Sequence, residues 1–153
     1  MQVSLIAKGE TIMAYFITED CIGCTLCAKN CPVQAIEGTV KQKHVINPKR
    51  CVECGVCGNV CNKAAILNSK GKLAAKIPKT EWKKPVVDTK LCSACAICVH
   101  ACGKDALAIS LPQFKGDIHV FAYLENEKQC VGCGLCASYC PLHAIKMKGG
   151  EEI

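Results

Sequence analysis

All sixteen cysteines of this 153-residue chain fall into four copies of one spacing, C-x2-C-x2-C-x3-C. The copies begin at Cys21, Cys51, Cys92 and Cys130 and are called motifs one to four below. Cysteines at i, i+3, i+6 and i+10 place several sulfurs around one point, which suits a metal centre better than disulfide bridges between distant strands. The sequence therefore predicts groups of metal-binding thiolates.

The rest of the chain lacks the features of a secreted or membrane protein. Its first residues, MQVSLIAKGETIMAYF, have no basic segment followed by a long apolar stretch and a cleavage site. No run approaches the roughly 18 apolar residues of a membrane helix. Because disulfides belong to oxidising compartments, we expect reduced cysteines, a cytoplasmic protein and no direct membrane span.

Two metal chemistries compete for the cysteines. Structural zinc sites commonly use two C-x-x-C pairs separated by a longer loop. Here each motif has three closely spaced thiols and a fourth soon after, which is the spacing of 4Fe–4S iron–sulfur clusters. A Rieske-type centre is excluded because it needs two histidine ligands, and no histidine sits at a ligand spacing. We predict four 4Fe–4S clusters, with a zinc-binding interaction module as the less favoured alternative.

The formal net charge of +6 would suggest a nucleic-acid partner if the cysteines were neutral. Four oxidised clusters with their thiolates contribute about −8, which brings the loaded chain to about −2. The sequence has no aromatic RNA-binding motif and no arginine stripe. The basic residues are therefore expected to balance anionic clusters, and no nucleic-acid partner is predicted.

Little regular structure is expected around the motifs. Aromatic residues make up only 5% of the chain, so metal must supply part of the stability that a larger hydrocarbon core would give. Helices can only be single turns near the fourth cysteine of each motif. Strand-like runs occupy residues 14–17, 44–47, 65–68, 85–88, 106–110 and 119–124.

The repeat extends beyond the cysteines. An alanine and a large aliphatic residue stand four and five positions after each fourth cysteine. These pairs are Ala35-Ile36, Ala65-Ile66, Ala106-Leu107 and Ala144-Ile145. The small residues are expected to let backbone N–H groups approach sulfur, and the aliphatic residues to shield the clusters from water.

With its motifs and the stretches CPVQAI (31–36) and CPLHAI (140–145), the chain resembles tandem bacterial-type ferredoxins with two 4Fe–4S clusters per module. The resemblance covers nearly all of residues 14–147. It implies an α+β fold of two ferredoxin-like modules with short hairpins and single helical turns, and single-electron transfer at low potential. The chain departs from the pattern where Asn62 and Gly103, rather than proline, follow a fourth cysteine.

The gaps between the motifs predict the module boundaries. The short gap between Cys31 and Cys51 pairs motifs one and two. We expect module one at 13–76, a linker at 77–82, and module two at 83–149 with a longer hairpin around 111–117. Residues 150–153 are interpreted as a tail.

The family pattern also implies a set of ligands. In bacterial ferredoxins the first three cysteines of a motif bind one cluster and the fourth binds the other cluster of the pair. Carried over, cluster one takes Cys21, Cys24, Cys27 and Cys61; cluster two takes Cys51, Cys54, Cys57 and Cys31; cluster three takes Cys92, Cys95, Cys98 and Cys140; cluster four takes Cys130, Cys133, Cys136 and Cys102. A nested order, with motif four paired to motif one as in the four-cluster subunits of molybdenum enzymes, is the alternative.

Residues 1–12 are interpreted as an N-terminal extension that results from a misassigned start codon. MAYFITEDC, beginning at Met13, would itself be a natural ferredoxin N-terminus. Native protein that begins at Met1 in intact mass spectrometry would contradict this interpretation.

The sequence has no nucleophile–base pair, phosphate-binding glycine loop or flavin fingerprint. We therefore expect no catalytic residues, and an electron-transfer protein or subunit rather than an enzyme. The resemblance points to a subunit of an anaerobic oxidoreductase complex of the aldehyde oxidoreductase, formate dehydrogenase or hydrogenase type, and first to the small subunit of a tungsten aldehyde oxidoreductase-type complex. Its partners would be a catalytic redox subunit, a flavin or ferredoxin electron partner, or both.

A free polyferredoxin that shuttles electrons between enzymes is the alternative. Free clostridial-type ferredoxins are strongly acidic as a family, and this chain is close to neutral with its clusters, which favours the subunit.

A few residues outside the motifs have possible roles. Trp82 is expected either to anchor a partner or to close the gap between the modules, and Tyr15 and Tyr139 to shield clusters. His100 is interpreted as a surface residue, and His44, His119 and His143 are given no role.

Overall fold

The computed structural model describes residues 14–149. The interpretations of residues 1–12 and 150–153 lie outside this range. Between residues 14 and 149 the chain forms four short α-helices, one 3-10 turn at Lys79–Glu81 and eight short β-strands. The helices are α1 (Leu26–Asn30), α2 (Val56–Val60), α3 (Ile97–Ala101) and α4 (Leu135–Tyr139). The strands are β1 (Phe16–Ile17), β2 (Ile36–Glu37), β3 (Val45–Ile46), β4 (Ile66–Leu67), β5 (Lys84–Val87), β6 (Leu107–Ile109), β7 (Ala122–Leu124) and β8 (Ile145–Lys148).

Each helix begins directly after a residue with a positive φ angle and ends directly before the fourth cysteine of its motif. Gly55 and Gly134 take this left-handed conformation without steric cost, whereas Thr25 and Ala96 take it against the preference of L-residues. A five-residue helix is too short to be stable alone in water. The helices therefore depend on the residues that pack against them.

The strands form four two-stranded antiparallel sheets, β1–β4, β2–β3, β5–β8 and β6–β7. In residues 16–67, called the first half below, the outer two strands pair with each other and so do the inner two. Residues 84–148, called the second half, repeat this order. Helix α1 packs against α2, and α3 packs against α4. The described chain thus has the small ferredoxin-like α+β fold that the sequence predicted.

Each of the six strand-like runs of the sequence overlaps a strand. The predicted hairpin is also present, because β6 pairs with β7 across the loop that contains residues 111–117. Strands β2 and β8 were not predicted. Only Ile36 and Glu37 form β2, and β8 carries two lysines, so neither strand shows an apolar run in the sequence.

Buried residues form two groups. One includes Ile17, Val56 and Ile66 of the first half, and the other includes Leu107 and Ile145 of the second half. Two residues from outside the first half, Trp82 and Val131, are also buried in the first group. The two halves therefore share packed side chains.

Trp82 is 6% exposed, and its indole N–H donates a hydrogen bond to the Ile77 carbonyl oxygen at 2.9 Å. It is buried in the same group as Val131 of the second half, which favours the role of closing the gap between the halves. We expect Trp82→Ala to lower the stability of the cluster-loaded protein by about 3–5 kcal/mol. Anaerobic thermal unfolding measures this loss. Phe114→Ala, which removes an exposed aromatic ring, is the matched control, and equal melting of the two variants would contradict the prediction.

Candidate metal centres

The sixteen cysteines line four separate cavities, four in each. Each cavity has about 310 to 370 Å³ of space not filled by protein atoms, open solvent included. The first cavity is lined by Cys21, Cys24, Cys27 and Cys61; the second by Cys31, Cys51, Cys54 and Cys57; the third by Cys92, Cys95, Cys98 and Cys140; the fourth by Cys102, Cys130, Cys133 and Cys136.

Every cavity therefore receives three cysteines from one motif and the fourth from its neighbour. The local fold explains this exchange. Helices α1 and α2 lie side by side, and the chain becomes extended at the cysteine that follows each of them. Cys31 and Cys61 therefore each lie in the cavity that the other motif forms. The lining of the first cavity includes Cys61 and does not include Cys140.

The alanine of the repeat contacts a sulfur. The backbone N–H of each such alanine donates a hydrogen bond to the Sγ atom of the fourth cysteine before it, at 3.3 to 3.4 Å. All four alanines are at most 2% exposed. Buried N–H donors stabilise negative charge on sulfur. The alanine thus contributes a backbone hydrogen-bond donor to the site. The shielding that the sequence predicted is a separate role, assigned to the aliphatic residue after it.

Burial raises the pKa of the deepest thiols. The pKa rises to about 12 for Cys57 and Cys136, and to about 11 for Cys27 and Cys54. Nearby cysteines add to the effect, and for Cys54 one of them is Cys133 of the second half. These side chains are protonated thiols in the metal-free chain at neutral pH. A metal that binds them must displace their protons, so binding depends on pH.

The donor set fits iron–sulfur clusters. Thiolate sulfur is the ligand that such clusters take, four per 4Fe–4S unit. Between residues 14 and 149 no group of three or more His, Cys, Asp or Glu side chains is arranged to hold a single metal ion. The cysteines instead surround cavities walled by apolar side chains, such as Ile17 and Ile66 in the first. A cluster bound there would supply reversible uptake of one electron.

Aromatic and histidine residues take different places around the cavities. Tyr15 lines the second cavity, as the sequence predicted. Tyr139 instead lies 57% exposed beside an open groove with Val33 and His100. His44, which sequence reasoning set aside, is 1% exposed and lines the first cavity. No sequence signal points to this position, because His44 stands alone in a polar stretch. His100, His119 and His143 are exposed.

The motifs match known iron–sulfur domains. Residues 20–65 match the 4Fe-4S dicluster domain, and residues 123–146 match the 4Fe-4S binding domain. The ferredoxin 7Fe of Hydrogenibacillus schlegelii is 46% identical over 57 residues, which are 35% of this chain and 70% of that protein. The chain therefore belongs to the ferredoxin family of 4Fe–4S electron-transfer proteins.

Two other similar proteins match this chain over a smaller part of their own length. One component of the ion-translocating oxidoreductase complex of Hahella chejuensis is 48% identical over 40 residues, or 26% of this chain and 20% of that one. A chain of the formate dehydrogenase, heterodisulfide reductase and formylmethanofuran dehydrogenase complex of Methanospirillum hungatei aligns with a TM-score of 0.35 at 20% identity, over 84% of this chain and 52% of that one.

None of the helices between residues 14 and 149 has the length and apolar character that a membrane crossing needs.

Proposed function

We propose that the four cavities hold four 4Fe–4S clusters, numbered as the cavities are, and that the chain conducts single electrons at low potential as a subunit of a larger oxidoreductase complex. The ligands are the four cysteines that line each cavity. Each half then lies within one ferredoxin module, at 13–76 and 83–149, and the chain has no substrate site of its own.

The observation that most supports this proposal is that residues beside the second and fourth cavities are in contact. Pro32, which follows Cys31 of the second cavity, lines the fourth cavity. Gly103, which follows Cys102 of the fourth cavity, lies so close to Pro32 that a Cβ atom on Gly103 would be 1.9 Å from the Pro32 carbonyl oxygen. Near this contact Lys104 Nζ donates a hydrogen bond to the Lys29 carbonyl oxygen at 2.6 Å. This contact between the halves is called the junction below.

The core supports the same adjacency. Cys54 of the second cavity and Cys133 of the fourth pack against the same group of buried residues. The first and third cavities contain the two exposed cysteines, Cys24 and Cys95. Electrons would therefore pass in the order one, two, four, three. The first and third clusters would exchange them with partners.

Charge and similarity favour a subunit over a free carrier. With four clusters the chain has a charge of about −2, so it lacks the strong field that steers an acidic shuttle to a basic partner. The stretch similar to a component of an ion-translocating oxidoreductase complex agrees with membership of a complex. A tungsten aldehyde oxidoreductase-type complex in a reducing cytoplasm is our specific proposal. The partners are a catalytic redox subunit and a flavin or ferredoxin electron partner.

Anaerobic purification of the native protein from its source cells through a high-salt step tests the proposal. High salt screens exposed charges, so transient ion-pair docking is weakened while a stable subunit interface persists. We expect the chain to remain with a larger cofactor-bearing protein, whose identity would name the reaction. A brown protein that elutes alone would support a free polyferredoxin. A colourless protein without acid-labile sulfide would support a zinc-binding module.

A further inference from the structure

His44 is a buried polar residue to which the proposed function gives no role. Its side chain is 1% exposed and lies one residue before strand β3. The ring packs against Gly38, where an added Cβ atom would be 2.6 Å from the His44 Cγ atom. The position of the ring is therefore fixed by packing.

One ring nitrogen of His44 has a partner and the other has none. Nδ1 lies 3.0 Å from the Gln42 carbonyl oxygen. Nε2 is the one fully buried side-chain nitrogen or oxygen between residues 14 and 149 that lacks a hydrogen-bond partner. A buried polar atom without a hydrogen-bond partner is destabilising, so such a nitrogen inside a protein points to a group that forms the missing hydrogen bond.

The surroundings of His44 indicate what that group is. His44 lines the first cavity together with its four cysteines. Cluster sulfides and thiolate sulfurs accept hydrogen bonds and donate none. Nε2 can therefore contact such a sulfur as an N–H donor.

We propose that His44 donates a hydrogen bond from Nε2 to a sulfur of the cluster in the first cavity and raises the reduction potential of that cluster. This inference rests on the proposed function, since it needs a cluster in that cavity. A donor to sulfur favours the reduced state because that state is the more negative one. Of the four cysteine cavities, the first alone has a histidine in its lining. His44 would therefore be a positioning residue that makes cluster one easier to reduce.

Two substitutions separate the hydrogen bond from the packing. His44→Phe keeps a ring of similar shape and removes the donor, whereas His44→Gln keeps an N–H donor. His119→Phe is the matched control, because His119 is exposed and lines none of the four cysteine cavities. The midpoint of each cluster would be measured by redox titration followed by electron paramagnetic resonance. The signal of cluster one is identified as the one that Cys24→Ala removes.

We expect His44→Phe to disfavour reduction of cluster one by about tenfold in the equilibrium constant. His44→Gln should lie closer to the wild type, and the other three midpoints should not move. His44→Phe should also lose one strongly coupled exchangeable proton, detected by electron–nuclear double resonance after transfer to D2O. A change below about threefold in the equilibrium constant for reduction of cluster one, or an equal shift of all four midpoints, would contradict the proposed hydrogen bond. Absence of any 4Fe–4S signal from the wild type would instead overturn the proposed function.

Discussion

Replacing Cys61 with alanine is expected to remove the cluster of motif one, although Cys61 belongs to motif two. Cys61 lines the first cavity with Cys21, Cys24 and Cys27, so its loss leaves that cluster with three thiolates. The protein should lose about a quarter of its iron. The paramagnetic signal that disappears should be the one that Cys24→Ala removes, and Cys54→Ala should remove a different one.

These three variants form an internally controlled set. Cys54 and Cys61 are in the same motif but line different cavities. If Cys61→Ala and Cys54→Ala removed the same signal, each motif would bind its own cluster, and the crossed assignment would be wrong. Circular dichroism before and after cluster assembly would show whether a variant had lost its fold instead of one cluster.

The second large effect is expected at the junction. Gly103→Val places side-chain atoms where even a Cβ atom would lie 1.9 Å from the Pro32 carbonyl oxygen, so the two halves must move apart. The φ angle of Gly103 is not in the left-handed range, so the clash with Pro32 is the main cost of the substitution. Overpacking of this kind costs typically 1–3 kcal/mol. We expect all four clusters to be retained and the magnetic interaction between clusters two and four to weaken.

Gly149→Val is the matched control, because a Cβ atom at Gly149 has no neighbour within 4 Å. The measurement is the splitting of the reduced-state paramagnetic spectrum, combined with the rate at which clusters of one half are reoxidised through the other. The junction proposal would be falsified if Gly103→Val and Gly149→Val gave the same splitting and the same rate. An outcome with fewer than four clusters in Gly103→Val would show that the junction also stabilises the fold.

Local features of the molecule followed from the sequence because their causes are local. Cysteine spacing alone indicated metal-binding groups, and the strand-like runs placed six of the eight strands. The small residues of the repeat were expected to let backbone N–H groups approach sulfur. The structure shows which sulfur each alanine N–H contacts, namely the Sγ atom of the cysteine four residues earlier, as for Ala65 and Cys61 at 3.4 Å.

Features that depend on contacts between distant residues could not be predicted in this way. Gly103 was noted only because proline was missing after Cys102. The structure adds a steric reason for glycine there, namely Pro32, which is far away in the sequence. Likewise the burial of His44 and Trp82 results from residues that pack on them after folding. Neither a lone histidine nor a lone tryptophan has a periodicity from which burial can be inferred.

The shared cavities have a consequence for how the protein is made. Because every cavity takes cysteines from two motifs, none is complete until both motifs have left the ribosome. The first and second cavities become complete together once Cys61 has emerged, and the third and fourth wait for Cys140. The four clusters would thus be inserted in two stages, with two clusters in each stage. A nascent chain stalled between Cys61 and Cys140 would be a ferredoxin with half of its redox centres already in place.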